Sequence, residues 1–506
     1  MDDQKQSLIK KLIQENVLIT KEILERIRNG ETYDQITTVT QVDDSQIEKK
    51  PVTENKQTLE KSTPGVFNPL ESVEVIRSSD KTLDKVSVNH FINHYKARLD
   101  AVTTMLRSRS ELQGLTSVSR LQSKDAQEEV SIIGYVQDMG ETKNGHMRLN
   151  IEDKTGTIMC LVVKRDENKE LFNIAKNLVF DDIVGIVGNT SDKKNGGNVI
   201  IFVNEIILPE IPISNALKKA PDDVNAVFIG DLHVGAKGFL LDEWNDFTNW
   251  LRSDAEDAKK VKYIFIVGDI IEGVGIYPNQ EHDLAVVDVT DQYDLAAKYL
   301  KQIPSDIPII ITPGNHDTAR LAEPQPPIPK KYAHSLLDLP NIVSVSSPSY
   351  VRFHKTDNFP GFVVLLYHGI SFFYYINNVE SIRKEGGIDR PELIMEFLLK
   401  RRHMAPAHGS TQMVPDPLED EMLIDIIPDF FITGHIHKSA ISKHRGVTLM
   451  NCSCFVDVTD YQKKQGMVPD LAKVAVTNLK TREVKIIDFA AEKNKLARRE
   501  ADEKEK

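Results

Sequence analysis

Five short loop sequences hold the side chains of this chain that are suited to joint chemistry. They are Gly230-Asp231-Leu232-His233, Gly268-Asp269, Gly314-Asn315-His316-Asp317, Tyr367-His368-Gly369 and Gly434-His435-Ile436-His437. Asp231 and His233 lie two apart in a tight loop, so both are able to face one cation. Asp269 offers a carboxylate that can bridge two cations, Asn315 an amide oxygen, and His368, His435 and His437 imidazoles. Mixed nitrogen and oxygen ligands of this kind suit Mn²⁺, Fe²⁺ or Zn²⁺ better than Ca²⁺. Two such ions about 3.5–4 Å apart activate a water and clamp the attacking and leaving oxygens of a phosphoester. Their fixed charge stabilises a transition state whose negative charge spreads over the non-bridging oxygens. His316 is expected to face the scissile phosphate and protonate the leaving oxygen, with Asp317 holding its ring in one tautomer.

A lone Gly-Asp or Gly-His is no evidence, because an isolated Asp or His at a strand end is ordinarily a turn residue. The weight comes from what precedes each loop. The segments are Ala226 to Ile229, Tyr263 to Val267, Ile307 to Thr312, Phe362 to Leu366 and Phe430 to Thr433. Near-continuous apolar runs of this length predict strands buried on both faces. The carboxyl ends of such strands are where α/β sheets gather ligands. Residues 222–490 alternate strands with helices and predict a central sheet sandwich flanked by helices. Three further strands are expected over 446–451, 473–477 and 483–488.

Upstream, residues 129–212 read as a small β-barrel. Strands are expected over 130–137, 147–152, 157–163, 183–188 and 199–207, with a helix over 169–178 between the third and fourth. Asp153-Lys154-Thr155-Gly156 is a hairpin signal. Five strands with a helix in that place match the OB-fold, which serves nucleic-acid contact and protein docking alike. Residues 86–128 form a helical segment in which Phe91, Ile92, Tyr95, Leu99, Val102 and Leu106 share one face. Residues 1–30 predict a small helical docking module, 31–85 a polar flexible linker, and 491–506 a charged tail.

Bulk properties narrow the class. A chain of 506 residues predicts two to four domains. The net charge of −12 argues against coating DNA by charge alone, while leaving room for a local basic groove. Cys160, Cys452 and Cys454 make no disulfide framework and suit a reducing cytosol. The expectation is a cytoplasmic, nucleoid-associated protein, with no apolar stretch long enough to span a membrane and no secretion signal. Weaker substrate-binding candidates are Arg401 and Arg402, in a basic turn that offers a phosphate contact or simply a solvated helix end. Tyr277 and the aromatics from Phe372 to Tyr375 offer stacking for an unpaired base, with core packing as the plainer alternative.

The combination resembles a known family. Asp231, His233, Asp269, Asn315, His316, His368, His435 and His437 match the calcineurin-like metallophosphoesterase pattern. With an OB-like barrel directly before it, the chain resembles the small (B) subunits of archaeal D-family DNA polymerases. The stretches that carry this are 268–278, 313–317, 366–371, 400–406 and 433–437, within a resemblance covering residues 86–490. The implied fold class is multidomain α/β plus β: an OB-fold, then a calcineurin-like metallophosphoesterase β-sandwich flanked by helices, with a small helical N-terminal module. The implied activity is a two-metal 3′-to-5′ exonuclease that proofreads for a large catalytic polymerase subunit. By the resemblance, Asp231, His233, Asp269 and His437 hold one ion, Asp269, Asn315, His368 and His435 the other, and His316 is the catalytic histidine. The implied cofactors are two divalent ions, Mn²⁺ foremost. The implied partners are the large subunit, DNA with single-stranded or mismatched 3′ ends, and the sliding clamp. The alternatives are a non-catalytic scaffold and a free-standing metallophosphatase. Two departures stand out. Glu272 replaces the Asp common in the wider superfamily, which is expected to alter loop packing. Ile370 stands where relatives often carry a basic residue, which weakens a phosphate contact.

Overall fold

The structure, a computed structural model, describes residues 68–82, 85–122, 128–191, 199–459, 462–463 and 467–495. The expected N-terminal module, most of the expected linker, residues 192–198 and residues 496–506 lie outside the described residues.

The linker expected to run to residue 85 contains a strand, which corrects that expectation. Strand β1 (Glu74–Ser78) pairs antiparallel with residues 349–352 at the edge of a sheet. It is held by its side chains and its approach: Val73, just before it, and Ile76, within it, pack into separate cores, and Arg77 makes a two-pronged pair with Asp425. Five mostly polar residues do not show strand periodicity, so this pairing was illegible locally.

Next comes a closed barrel of β2 (Glu129–Glu141), β3 (Met147–Asp153), β4 (Gly156–Val162), β5 (Ile183–Thr190) and β6 (Ile200–Ile207), in the order β2-β3-β4-β6-β5. Alternate residues such as Leu149, Ile151, Ile158, Cys160 and Ile201 point inward and are fully or nearly buried. The helix Lys169–Lys176 packs Phe172 and Ala175 onto this interior. The long helix Val88–Arg107 lays Leu99, Val102 and Leu106 against Ile133, Ile183 and Val187 of the barrel.

Two six-stranded sheets follow. One holds β7 (Asn225–Ile229), β8 (Val261–Val267), β9 (Ile309–Thr312), β10 (Ile342–Ser344), β16 (Lys473–Asn478) and β17 (Val484–Asp488), ordered β10-β9-β8-β7-β16-β17. The other holds β1, β11 (Ser349–Phe353), β12 (Phe362–Leu366), β13 (Phe430–Thr433), β14 (Ala440–His444) and β15 (Val447–Asn451), ordered β1-β11-β12-β13-β15-β14. Phe228, Phe265, Phe353, Phe362 and Phe430 interlock between the sheets. Helices Leu241–Leu251, Val289–Leu300 and Lys330–Leu337 cover the first sheet, and Phe372–Asn378 and Pro391–Arg401 the second. β7, β8 and β9 run parallel, as do β12 and β13. Their carboxyl ends deliver all five loop sequences to one edge of the sandwich.

Candidate metal centre

The loops turn sharply where the strands stop. Asp231, His233, Asp269, His435 and His437 all adopt left-handed backbone, with φ between 50° and 69°. Non-glycine residues rarely do so, and such conformations persist where the surrounding fold over-determines them. Two glycines make the close approach possible. A Cβ on Gly314 would stand 2.2 Å from Asp269 Oδ1, and one on Gly434 would stand 2.4 Å from Asp231 Oδ2. Backbone amides then lock the carboxylates: His316 N donates to Asp269 Oδ1 at 2.8 Å, and His435 N donates to Asp231 Oδ1 at 3.0 Å.

Donor atoms converge in three overlapping groups: Asp231, His233 and His437; His233, Asp269 and His316; Asp269, His368 and His435. His233 Nε2 lies 3.1 Å from His437 Nε2 and 3.7 Å from Asp269 Oδ2. His437 Nε2 lies 3.5 Å from Asp231 Oδ1. On the other side, His368 Nε2 is 3.2 Å from Asp269 Oδ2 and 3.1 Å from Asn315 Oδ1. Asp269 thus stands between two clusters of nitrogen and oxygen donors, and this donor set fits a pair of divalent transition-metal ions. Among the described residues, no lysine or arginine pairs with Asp231 or Asp269. The ligand positions are buried except Asn315, His316 and His435, which reach solvent and mark the mouth of the site.

Charge is distributed to match. Burial pushes the Asp269 carboxyl up, but His368, His316 and His233 outweigh it and hold the group well below the usual range. Burial opposes protonation of His368, yet Asp269 raises it to about 9. His437 is likewise raised, against burial, by Cys454 and Asp231. Burial and the neighbouring His368 push His435 well down, and burial lowers His316. Protons on His368 and His437 supply the charge that a divalent cation supplies in their place, so metal binding releases protons.

His316 sits at this mouth with its ring 4.5 Å from that of His233. Its Nδ1 donates to the Glu272 carbonyl oxygen at 2.7 Å. That replaces the expected role of Asp317. The Asp317 carboxylate instead accepts from Gly314 N, Ile270 N and Tyr293 Oη, and braces the loop. Burial and nearby Asp269 push its pKa up to about 7. Arg401 and Arg402 are also corrected: both are buried. Arg401 Nε donates to Asp182 Oδ1 of the barrel at 2.8 Å and its Nη2 to Asn177 O. Arg402 caps the carbonyls of Ile424 and Asp425. Neither is placed to meet substrate: Arg401 is spent on a buried acid and Arg402 on two main-chain carbonyls. Tyr277 is half-buried near His316, with ring centroids 6.4 Å apart. Phe372 and Tyr375 are core residues, whereas Phe373 is half-buried with its ring 5.3 Å from that of His435. Glu272, expected to affect only packing, reaches His233 Nδ1 at 2.7 Å. Its place three residues after Asp269 was the available signal.

Comparisons with known proteins bear on the fold and the family. Residues 224–439 match the calcineurin-like phosphoesterase family, and residues 130–209 match the OB-fold nucleic acid binding domain. A DNA polymerase II small subunit from Methanothermobacter thermautotrophicus is 36% identical over 419 residues, covering 82% of each chain. The protein of that name from Archaeoglobus fulgidus is 34% identical over 435 residues, 84% of this chain and 83% of its own. The one from Pyrococcus abyssi is 34% identical over 416 residues, 80% of this chain and 64% of its own. Among solved structures, an asparaginyl-tRNA synthetase from Pyrococcus horikoshii overlaps 19% of this chain and 22% of its own, at 21% identity and a TM-score of 0.17.

Proposed function

The chain belongs to the family of archaeal DNA polymerase II small subunits, and from that premise we propose that it is a two-metal 3′-to-5′ exonuclease acting on single-stranded or mismatched 3′ ends. The observation that carries this is the convergence of Asp231, His233, Asp269, His368, His435 and His437 behind a mouth that includes His316. Asp231, His233, Asp269 and His437 would hold one ion, and Asp269, Asn315, His368 and His435 the other. Mn²⁺ is the proposed metal on the strength of the family resemblance, and the nitrogen and oxygen donors are compatible with it. When bound, the pair supplies Lewis-acid charge at the phosphoester.

The chain's own residues do the rest. His316 keeps its Nδ1 proton on the Glu272 carbonyl. A protonated ring therefore presents Nε2 as a donor to a leaving oxygen, and a neutral ring presents it as an acceptor. Tyr277 and Phe373, each beside an imidazole of the mouth, offer faces for an unstacked base. The direction of cutting and the proofreading role rest on the family resemblance. So do a large catalytic subunit and the sliding clamp as partners. The barrel at 129–212 and the sandwich at 222–490 are proposed as separate functional domains, the first a docking or nucleic-acid module.

Digestion of end-labelled oligonucleotides with Mn²⁺ tests the reading. A 5′-labelled strand should shorten through a ladder, and a 3′ label should leave at once as a mononucleotide. His316→Ala should slow this by about 10²–10⁴-fold and leave binding of the large subunit intact. A variant that cuts as fast as the parent defeats the mechanism. Faster hydrolysis of a nucleoside monophosphate than of a DNA end would point to a phosphatase instead.

A further inference from the structure

Glu272 is 2% exposed and bears a carboxylate, yet among the described residues no lysine or arginine pairs with it. Burying such a charge is costly unless other groups satisfy it. One oxygen, Oε2, accepts from His233 Nδ1 at 2.7 Å. The other, Oε1, accepts from Gln280 Nε2 at 2.9 Å and shares the single Tyr277 Oη proton, 3.1 Å away, with Asp283 Oδ2, also at 3.1 Å. The main chain at this point is equally tied. Glu272 N donates to Val234 O at 2.9 Å, and Gly273 exchanges hydrogen bonds with the Gln292 amide at 2.8 and 3.1 Å. Gly273 has φ +71°, and a Cβ there would stand 2.3 Å from His316 O, so the loop is pressed directly against the His316 loop.

Resting on the dinuclear reading above, we propose that Glu272 is a positioning residue with two outputs: its carboxylate orients His233 for the first cation, and its carbonyl oxygen aims His316. A carboxylate on Nδ1 fixes the tautomer that leaves Nε2 free and makes that nitrogen a stronger donor. The equivalent support for the second site is weaker. His368 Nδ1 rests on a neutral acceptor, Val267 O, at 3.2 Å. The two cation sites are therefore unequal, and the first, backed by Glu272, is the tighter.

The test is Mn²⁺ titration of the full-length protein, followed by the electron paramagnetic resonance signal of free Mn²⁺. The parent should show a tighter and a weaker class of site. Glu272→Gln keeps the size but removes the charge. It should weaken the tighter class by about 10–100-fold and leave the other within about twofold. No change in either class, or equal weakening of both, overturns the proposal. Should Glu272→Gln fail to fold, Gln280→Met decides, because the Gln280 amide donates to Glu272 Oε1. Loss of one hydrogen bond to the carboxylate should weaken the tighter class by about 3–10-fold, and an unchanged tighter class overturns the proposal. Because binding is read without turnover, a protein that binds two ions but never cuts DNA defeats the nuclease reading and still tests this one.

Discussion

Asp420 and Asp269 sit equally deep and face the same kinds of neighbour. Asp420 Oδ2 has His94 Nε2 at 3.2 Å and His403 Nε2 at 2.9 Å. Asp269 Oδ2 has His368 Nε2 at 3.2 Å and His233 Nε2 at 3.7 Å. The difference is a cation supplied by the chain. The Arg98 guanidinium donates to Asp420 Oδ2 and to Pro406 O, and closes that cluster. No arginine or lysine among the described residues does this for Asp269. Backbone conformation differs in the same sense. Five residues of the metal centre carry positive φ, while His94, Arg98, His403 and Asp420 do not. One cluster is a knot that ties the Val88–Arg107 helix to the 403–420 loop; the other is held open at a local conformational cost.

Truncating each aspartate gives the sharpest contrast. Asp269→Ala should abolish both classes of Mn²⁺ site and lower nuclease turnover by about 10³-fold or more, with a modest change in metal-free stability. Asp420→Ala should leave Arg98 buried without its partner and cost about 3–5 kcal/mol of folding stability. Metal binding by the molecules that remain folded should be unaffected. Chemical denaturation of the chelated proteins, paired with Mn²⁺ titration, separates the two. If Asp420→Ala loses metal while keeping stability, the division between the clusters is wrong.

This contrast also marks how far the sequence could be read. The five site loops were legible because each follows a strand buried on both faces, whose apolar run needs no knowledge of its partners. Glycines at 230, 268, 314 and 434 added a local reason for a tight turn. The Asp420 knot has no such signature. Arg98 and Asp420 are 322 residues apart, and pairing at that separation is decided by tertiary packing. Arg401 misled for the same reason, since its partner Asp182 lies in the barrel, 219 residues away. Strands β1, β10, β11 and β14 are not legible either: β1, β10 and β14 are short edge strands that are half-exposed or mixed in polarity, and β11, though buried, interrupts its apolar residues with Ser349 and Arg352. In the site itself, Glu272 and Phe373 are visible in the sequence, but their contacts with His233 and His435 are set by tertiary packing.

The pH dependence of the chelated protein should have opposite signs in the two clusters. His403 Nδ1 accepts from Ala405 N at 2.9 Å while Nε2 donates to Asp420, so the ring is held neutral. Burial, with Arg98 nearby, lowers its pKa from 6.5 to about 4. Between those values the unfolded chain binds more protons than the native one. The knot's contribution is therefore present above pH 6.5 and lost as pH falls toward 4, a change of about 3 kcal/mol. His368 is raised to about 9, so the native state there holds the extra proton. Its contribution is complete below 6.5 and lost as pH rises through 9. Denaturation midpoints measured across this range should fall at both ends. His403→Gln should flatten only the acid side, and saturating Mn²⁺ should remove the alkaline fall. An acid limb unchanged by His403→Gln would show that the knot does not titrate as drawn.

The smallest effect expected lies at the rim, where the metal centre meets substrate. Phe373 is on the helix that follows the His368 loop, half-buried, its ring edge-on to His435. A base stacked there gains about 1–3 kcal/mol from the aromatic face, and every base has one. Phe373→Ala should therefore raise KM for a single-stranded oligonucleotide by about 5–100-fold, with the same factor for purine and pyrimidine ends. The loss should be smaller for a paired end, whose terminal base stays stacked on its own duplex. Arg401→Met provides the contrast: its side chain is committed to Asp182 and Asn177, so it should lower stability and leave KM alone. If the arginine variant raises KM and the phenylalanine variant does not, substrate enters by the barrel side of the molecule and the mouth has been placed on the wrong face.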